Sequence, residues 1–199
     1  MGAIEVVWER TDDRCAADRL LRRLAAGTHG QGVTVGRICP GCASPEHGRP
    51  YPLGWDGARP AGVSLSRTPG TTVVAMWQDG PVGVDVERVD RFTDGGVADV
   101  LLHPGERAGS AAGLATTWVR KEALLKASGD GLSVDPRSVH LDAADGLPVV
   151  VQWPRGLLRP DWVVDLELGD GLVAALAGVG TPDPPDVRVR RAGPEAPRG

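Results

Sequence analysis

Hydrophobic and polar positions along the chain change period several times, and those changes mark the elements. The clearest period of two is Val82-Gly-Val-Asp-Val-Glu-Arg-Val89, where Val82, Val84 and Val86 point to one face and Gly83, Asp85 and Glu87 to the other. Val63 to Ser66 and Thr71 to Gln78 (TTVVAMWQ) predict two preceding strands joined by a Thr-Pro-Gly turn. Asp79-Gly80 is a further turn, so the three strands are expected to form an antiparallel meander. Val149–Trp153, Trp162–Leu168 and Leu172–Gly178 predict a second meander, entered from a loop over Gly131–Val139. Helical spacing covers Ala16–Ala26, with Leu20, Leu21 and Leu24 on one face, arginines on the other and Gly27 as the stop. A short helix is predicted over Val97–Leu102. A longer one spans Glu106–Ala127, strongest from Ala111, with Leu114, Trp118 and Leu125 in phase and Gly129 ending it. Residues 27–62, rich in glycine and proline, predict a long irregular loop with one short strand at Val33–Ile38.

Val63–Trp77 and Val163–Gly178 share a strand, turn, apolar strand order, each with a helix before it. The expected fold class is therefore α+β: two similar halves, each a small antiparallel sheet packed with helices, too small to bury a core alone and so packed together. The halves are placed at residues 1–80 and 81–180. The tail 181–199, rich in proline and charge, is expected to be disordered.

Composition narrows the partners. The 199 residues carry a net charge of −4, which gives no field for nucleic acid. The longest apolar run, Leu172–Val179, is too short to span a bilayer, and the first residues lack a basic segment followed by an apolar one, so a cytoplasmic, unanchored protein is expected. Three cysteines argue against a disulfide scaffold; Cys39, Cys42 and His47 have partial zinc-ligand spacing, against the alternative of a tight turn with reduced thiols.

Chemistry concentrates in two places. Asp85 and Glu87 share a strand face about 7 Å apart at Cα, where two carboxylates repel unless something positive lies between them. A hard cation such as Mg²⁺ binds one or two carboxylates together with substrate phosphates and waters, and Gly83 leaves the backbone open to a ligand. The alternative is a solvated edge strand paired with Arg88 or Arg91. On the helix, Trp118, Glu122 and Lys126 fall at i, i+4 and i+8 on one face, with Lys121 about 100° away. A Glu122–Lys126 surface ion pair is the alternative there.

Together GVDVERV and, about thirty residues on, WVRKEALLKASGDGLSVDP resemble the two signature blocks of the 4′-phosphopantetheinyl transferase superfamily, nearest its larger, pseudo-dimeric kind serving polyketide and nonribosomal peptide synthetases. The likeness runs from about Arg14 to Gly178. It implies two halves related by a pseudo-twofold axis. It further implies Asp85, Glu87 and Glu122 as ligands of Mg²⁺ (Mn²⁺ as an alternative), with coenzyme A as co-substrate, contacted by Lys121 and Lys126. His47-Gly-Arg-Pro-Tyr51 resembles the family's Gly-Lys-Pro segment, placing Arg49 and Pro50 at the nucleotide. Val63–Arg67 resembles a strand ending in Ser-His, with Ser66 conserved in type and Arg67 standing where His is usual; arginine holds a phosphate bidentately at any pH. Arg14 or Arg19 would add a phosphate contact. Departures are Arg67, Ala123 and a chain trimmed before Arg14.

The resemblance implies that a carrier-protein serine attacks the β-phosphorus of coenzyme A and releases 3′,5′-ADP. Glu122 is the expected base, directly or through a water on the metal, and Lys126 stabilises or protonates the departing phosphate. The acyl or peptidyl carrier protein is expected at Phe92–Leu102 through an apolar and basic patch, the enzyme acting as a monomer. The rival readings are another Mg²⁺-dependent nucleotide-diphosphate enzyme and a noncatalytic module binding carrier protein or coenzyme A.

Overall fold

A computed structural model describes residues 2–29, 34–38, 42–45, 48–54, 61–144, 146–169 and 171–193. In chain order these form β1 (Ile4–Glu9), α1 (Ala16–His29), β2 (Thr34–Ile38), β3 (Arg49–Leu53), β4 (Gly62–Thr68), β5 (Thr71–Trp77) and β6 (Val82–Arg88). There follow α2 (Ala98–Leu101), α3 (Ala111–Ser128), β7 (His140–Ala144), β8 (Leu147–Gln152), β9 (Trp162–Leu166), β10 (Leu172–Gly178) and β11 (Val187–Arg191). The class is α+β, with several small sheets and few helices.

Two sheets face each other and share one core. The first has strand order β11-β1-β5-β4 and the second β6-β10-β9. Ile4, Val6 and Trp8 of β1 and Val73, Ala75 and Trp77 of β5 meet Val82, Val84 and Val86 of β6 and Trp162, Leu166, Ala174 and Leu176 of β9 and β10. The indoles of Trp77 and Trp162 meet edge to face across this interface, with centroids 6.1 Å apart. On the outer face of the first sheet, Val7, Val74 and Met76 receive Leu20, Leu21 and Leu24 of α1. On that of the second, Val163, Ala175 and Ala177 receive Val119, Ala123 and Leu124 of α3. The layers are thus helix, sheet, sheet, helix. Strands buried on both faces carry apolar residues without alternation, as TTVVAMW does.

Four expectations are corrected. β6 does not join β4 and β5 in a meander: β5 is already flanked by β1 and β4, and β6 pairs antiparallel with β10 over seven residues. Likewise β8 pairs with β7, not with β9. The stretch 27–62 is not one irregular loop, since α1 continues to His29 and β2 and β3 pair antiparallel. The tail contains β11, which runs parallel to β1 from Ile4↔Val187 to Trp8↔Arg191 and sets the Arg191 guanidinium over the Trp8 ring. Pairing supplies the order that the composition of this segment does not.

The long helix starts at Ala111 and not at Glu106, because the Ser110 hydroxyl caps it by accepting from the Gly113 N–H at 3.1 Å. It ends at Gly129, with φ of 94°. Cys39 and His47 lie outside the described residues; Cys15 and Cys42 are exposed and in no disulfide. No helix among the described residues is long and apolar enough to cross a membrane.

Candidate functional site

The site lies where the two sheets meet edge to edge. β6 is an edge of its sheet and β4 an edge of the other, and they run side by side without a backbone ladder between them. Side chains close the gap. On β4 the polar residues Ser64, Ser66 and Thr68 recur at every second position, on one face of the strand. The Ser64 hydroxyl accepts from the Val84 N–H at 3.0 Å, the Ser66 hydroxyl donates to Asp85 Oδ1 at 2.5 Å, and the Thr68 hydroxyl donates to Glu87 Oε2 at 2.7 Å. The partners on β6 advance in step with those on β4, so the strands run in the same direction.

Glycine 83 brings the helix to the strand. A Cβ there would lie 2.0 Å from the Ala123 carbonyl oxygen and 2.5 Å from the Ala127 nitrogen, so α3 rests directly on the β6 backbone. The opening expected at Gly83 for a ligand is filled by the helix instead. This contact aims the last turns of α3 at the seam. Lys126 Nζ donates to Asp85 Oδ1 at 2.7 Å and to the carbonyl of Val84 at 3.2 Å, with a longer contact of 3.4 Å to the carbonyl of Leu65. One ammonium thereby ties both strands to the helix.

Glu122, one turn before Lys126, is buried and carries a carboxylate oxygen, Oε1, without a hydrogen-bond partner. Asp85 is 4% exposed, and its Oδ2 is likewise unpartnered. Burial pushes the Glu122 carboxyl up to about 7; the nearby Lys126 charge opposes this, and the charges of Asp85 and Glu87 add to it. Glu122 thus feels both strand carboxylates and lies on their side of the fold. Glu87 also accepts from Arg91 at 3.2 Å. Among the described residues no three acidic, His or Cys side chains are drawn together tightly enough to enclose an ion as they stand. Lys126 and Arg91 donate to the strand carboxylates, while two buried acid oxygens, Asp85 Oδ2 and Glu122 Oε1, face no donor. Oxygens of this kind are what a hard divalent cation takes, so the donor set fits Mg²⁺ or Mn²⁺.

A cleft of about 280 Å³ opens beside Lys126, lined by Arg37, Arg49, Pro50, Val63, Leu65 and the Gly129–Gly131 turn. A Cβ at Gly129 would lie 2.3 Å from an Arg49 guanidinium nitrogen, the movable end of that side chain, so it is the left-handed helix end, with φ of 94°, that requires glycine there. Arg67 and Arg14 line another cleft, shared with Thr68, Asp12 and Asp13, beyond the other end of β4. There Asp13 is held below the ordinary carboxylate range first by its hydrogen bond from Arg19, with the Arg67 charge contributing least.

Ser66 and Lys126 are therefore bonded to Asp85, with Glu87 two residues along β6 and Glu122 one turn before Lys126 on α3; Arg49 and Pro50 line the adjoining cleft, and Arg14 and Arg67 lie farther along. Lys121 does not join them. Its ammonium is buried and donates to Glu106 Oε2 at 2.6 Å, the Leu101 carbonyl at 2.9 Å and the Pro136 carbonyl at 3.0 Å. Burial lowers its pKa and Glu106 opposes that shift. All three donors are used inside the protein, and the expected nucleotide contact is corrected to a structural one. Arg19, the alternative to Arg14, is likewise engaged, with Glu9 and Asp13. In the segment Phe92–Leu102, Phe92 and Leu101 turn inward against Leu114 and Ala115, and the exposed side chains include Asp94, Asp99 and Val100. The apolar, basic face expected of that segment is absent there; Arg88 and Arg91 precede it.

Sequence reasoning passed over Ser64, Thr68, Glu106 and Arg37. The β4 hydroxyls had a signal in their period of two within an otherwise apolar strand. Glu106 had none, because its partners are a lysine fifteen residues on and the backbone N–H groups of His103 and Leu141.

No curated protein matches the chain. A family model described as the 4′-phosphopantetheinyl transferase superfamily matches residues 81–177, a stretch that holds β6, α3 and β10 and with them every acidic group of the seam. Residues 81–177 are thus similar to the 4′-phosphopantetheinyl transferase superfamily.

Proposed function

We propose that this protein transfers 4′-phosphopantetheine from coenzyme A to a serine of an acyl or peptidyl carrier protein, releasing 3′,5′-ADP. The observation that carries the reading is the pair of buried, unpartnered acid oxygens, Asp85 Oδ2 and Glu122 Oε1, beside the Lys126 ammonium. A structural ion pair has no use for them. A pyrophosphate substrate accompanied by a divalent cation does.

Asp85, Glu87 and Glu122 would hold Mg²⁺, which when bound offsets negative charge on the pyrophosphate. The remaining work falls to the chain itself. Arg49, with Lys126, lines the cleft suited to the diphosphate and nucleotide, and Arg67 and Arg14 offer guanidinium groups to a further phosphate. The carrier serine forms a bond to the β-phosphorus as the bond from that phosphorus to the oxygen of 3′,5′-ADP breaks. Glu122 takes the serine proton directly or through a water, the water route being the easier one for a carboxylate that shares a cation. Lys126 donates a hydrogen bond to the departing phosphate. Phosphoryl transfer needs chiefly positioning and charge compensation, and a seam between two rigid sheets supplies both.

Within each half the strand order is the same: β1-β5-β4 matches β6-β10-β9, with α1 and the β2–β3 hairpin answering to α3 and the β7–β8 hairpin. This supports a pseudo-twofold arrangement of halves spanning 1–80 and 81–180. The test of function is incubation of the protein with coenzyme A, Mg²⁺ and an apo carrier protein, read by intact mass. The carrier gains one phosphopantetheine on its serine, and Glu122→Gln abolishes most of that gain. An unmodified carrier with coenzyme A cleaved would identify a hydrolase, and binding without any product a noncatalytic module.

A further inference from the structure

We propose that Ser66 and Thr68 are positioning residues that hold the Asp85 and Glu87 carboxylates ready for a divalent cation, each by occupying one carboxylate oxygen from the facing sheet. The inference rests on the reading of the seam as a metal-dependent site.

A carboxylate has two oxygens and rotates about its last bond, so an unsupported one samples many orientations. At Asp85 that freedom is removed. Oδ1 receives both the Ser66 hydroxyl, at 2.5 Å, and the Lys126 ammonium, at 2.7 Å, so that Oδ2 is left to point away, buried and unpartnered. An ionised carboxylate only accepts, so the Ser66 proton must lie toward Asp85. Ser66 is 7% exposed and Asp85 4%, which leaves little room for water to replace the hydroxyl. At Glu87, Oε2 receives Thr68 at 2.7 Å and Arg91 at 3.2 Å, while Oε1 has only a 3.5 Å contact from Arg91. At Asp85 the donors converge on one oxygen and spare the other, and at Glu87 they favour Oε2.

The hydroxyls also come from the other sheet. Among the described residues β4 pairs by backbone only with β5, and β6 only with β10, so the strand that carries the acids is oriented by the half that does not. Loss of a group that orients a metal ligand typically lowers metal affinity 10–100-fold. Ser66 should matter more than Thr68, because Arg91 also steadies Glu87.

The test uses the full chain and Mn²⁺ alone, with free Mn²⁺ followed by electron paramagnetic resonance, in the wild type, Ser66→Ala, Thr68→Val and Asp85→Asn. Urea unfolding in EDTA is followed in parallel. The expected result is Mn²⁺ affinity about 10–100-fold weaker in Ser66→Ala and more modestly weaker in Thr68→Val, with the affinity of the folded protein falling even where the apo unfolding midpoint does not. Thr68→Val keeps the side-chain shape, so it decides the question if Ser66→Ala does not fold. If the wild type binds Mn²⁺ and Asp85→Asn does not, but the hydroxyl variants bind within twofold of the wild type, the positioning role is overturned and the metal site stands. If the wild type binds no Mn²⁺, or Asp85→Asn binds as the wild type does, the site reading itself is overturned.

Discussion

Replacing Glu122 with glutamine should change how stability depends on pH, in a direction opposite to that of an ordinary surface carboxylate. Burial raises the Glu122 carboxyl from 4.5 in the unfolded chain to about 7 in the folded one. Between those values the folded protein binds the proton more tightly than the unfolded chain, so its stability falls as pH rises through the window and levels off above 7. At about 1.4 kcal/mol for each pH unit of difference, the full loss is about 3 kcal/mol. Glutamine has the same shape and does not titrate. Glu122→Gln should therefore gain on the wild type by about 3 kcal/mol between pH 4 and pH 8 in EDTA, equivalent to roughly 10 °C in melting temperature for a chain this size. Urea titrations at both ends of that range, followed by tryptophan fluorescence, measure the difference of differences, and any fixed cost of the amide cancels. A pH-independent gap between the two proteins, or a wild type that gains on the variant as pH rises, would refute the claim that burial dominates at this carboxyl.

Other outcomes follow from the packing. Gly83→Ala puts a methyl group 2.0 Å from a backbone oxygen of α3 and should cost about 3 kcal/mol of stability by thermal melting, with metal affinity lowered as the helix shifts. Lys121→Met strands the buried Glu106 and should cost about 3–5 kcal/mol, most of it recovered in the double variant Lys121→Met/Glu106→Gln; denaturant unfolding of both distinguishes this from a nucleotide-binding lysine, whose loss would leave stability unchanged. Saturating Mg²⁺ should raise the wild-type melting temperature at pH 8 and leave that of Asp85→Asn unmoved, as read by scanning calorimetry. Deleting residues 187–199 should lower the melting temperature by removing β11 from the edge of β1, and hydrogen exchange should then show β1 opening first.

The strands and helices with a strong local period were legible in the sequence: β4, β5, β6, β9, β10 and α3 all fall close to where the pattern placed them. Sheet membership was not. The Asp79-Gly80 turn has the chemistry of a hairpin, yet β5 has both edges taken, so the chain must pass to the other sheet. No local signal records which edges are occupied. β1 escaped notice because Val7 faces α1 while Val6 and Trp8 face the shared core, and a strand buried on both sides loses its alternation. The acidic residues of the site were legible because a strand rarely spends two positions on carboxylates. Lys121 was misread for the converse reason. Its place next to Glu122 in sequence puts it about 100° around the helix, and only the distant Glu106 determines what it meets.

β11 makes the outer edges of the two halves unequal. In the second half, β6 is flanked on its outer edge by β4 through side chains alone, and an accessible groove results. In the first half, the corresponding strand β1 has its outer edge taken by the main chain of β11 over five residue pairs. Counting from the core-facing valines, the position of Asp85 falls on Val7, which is buried under α1, and that of Glu87 on Glu9, which is neutralised by Arg19. The duplication of topology is therefore not a duplication of chemistry: among the described residues, one of two equivalent furrows is closed by main chain and the other is left open.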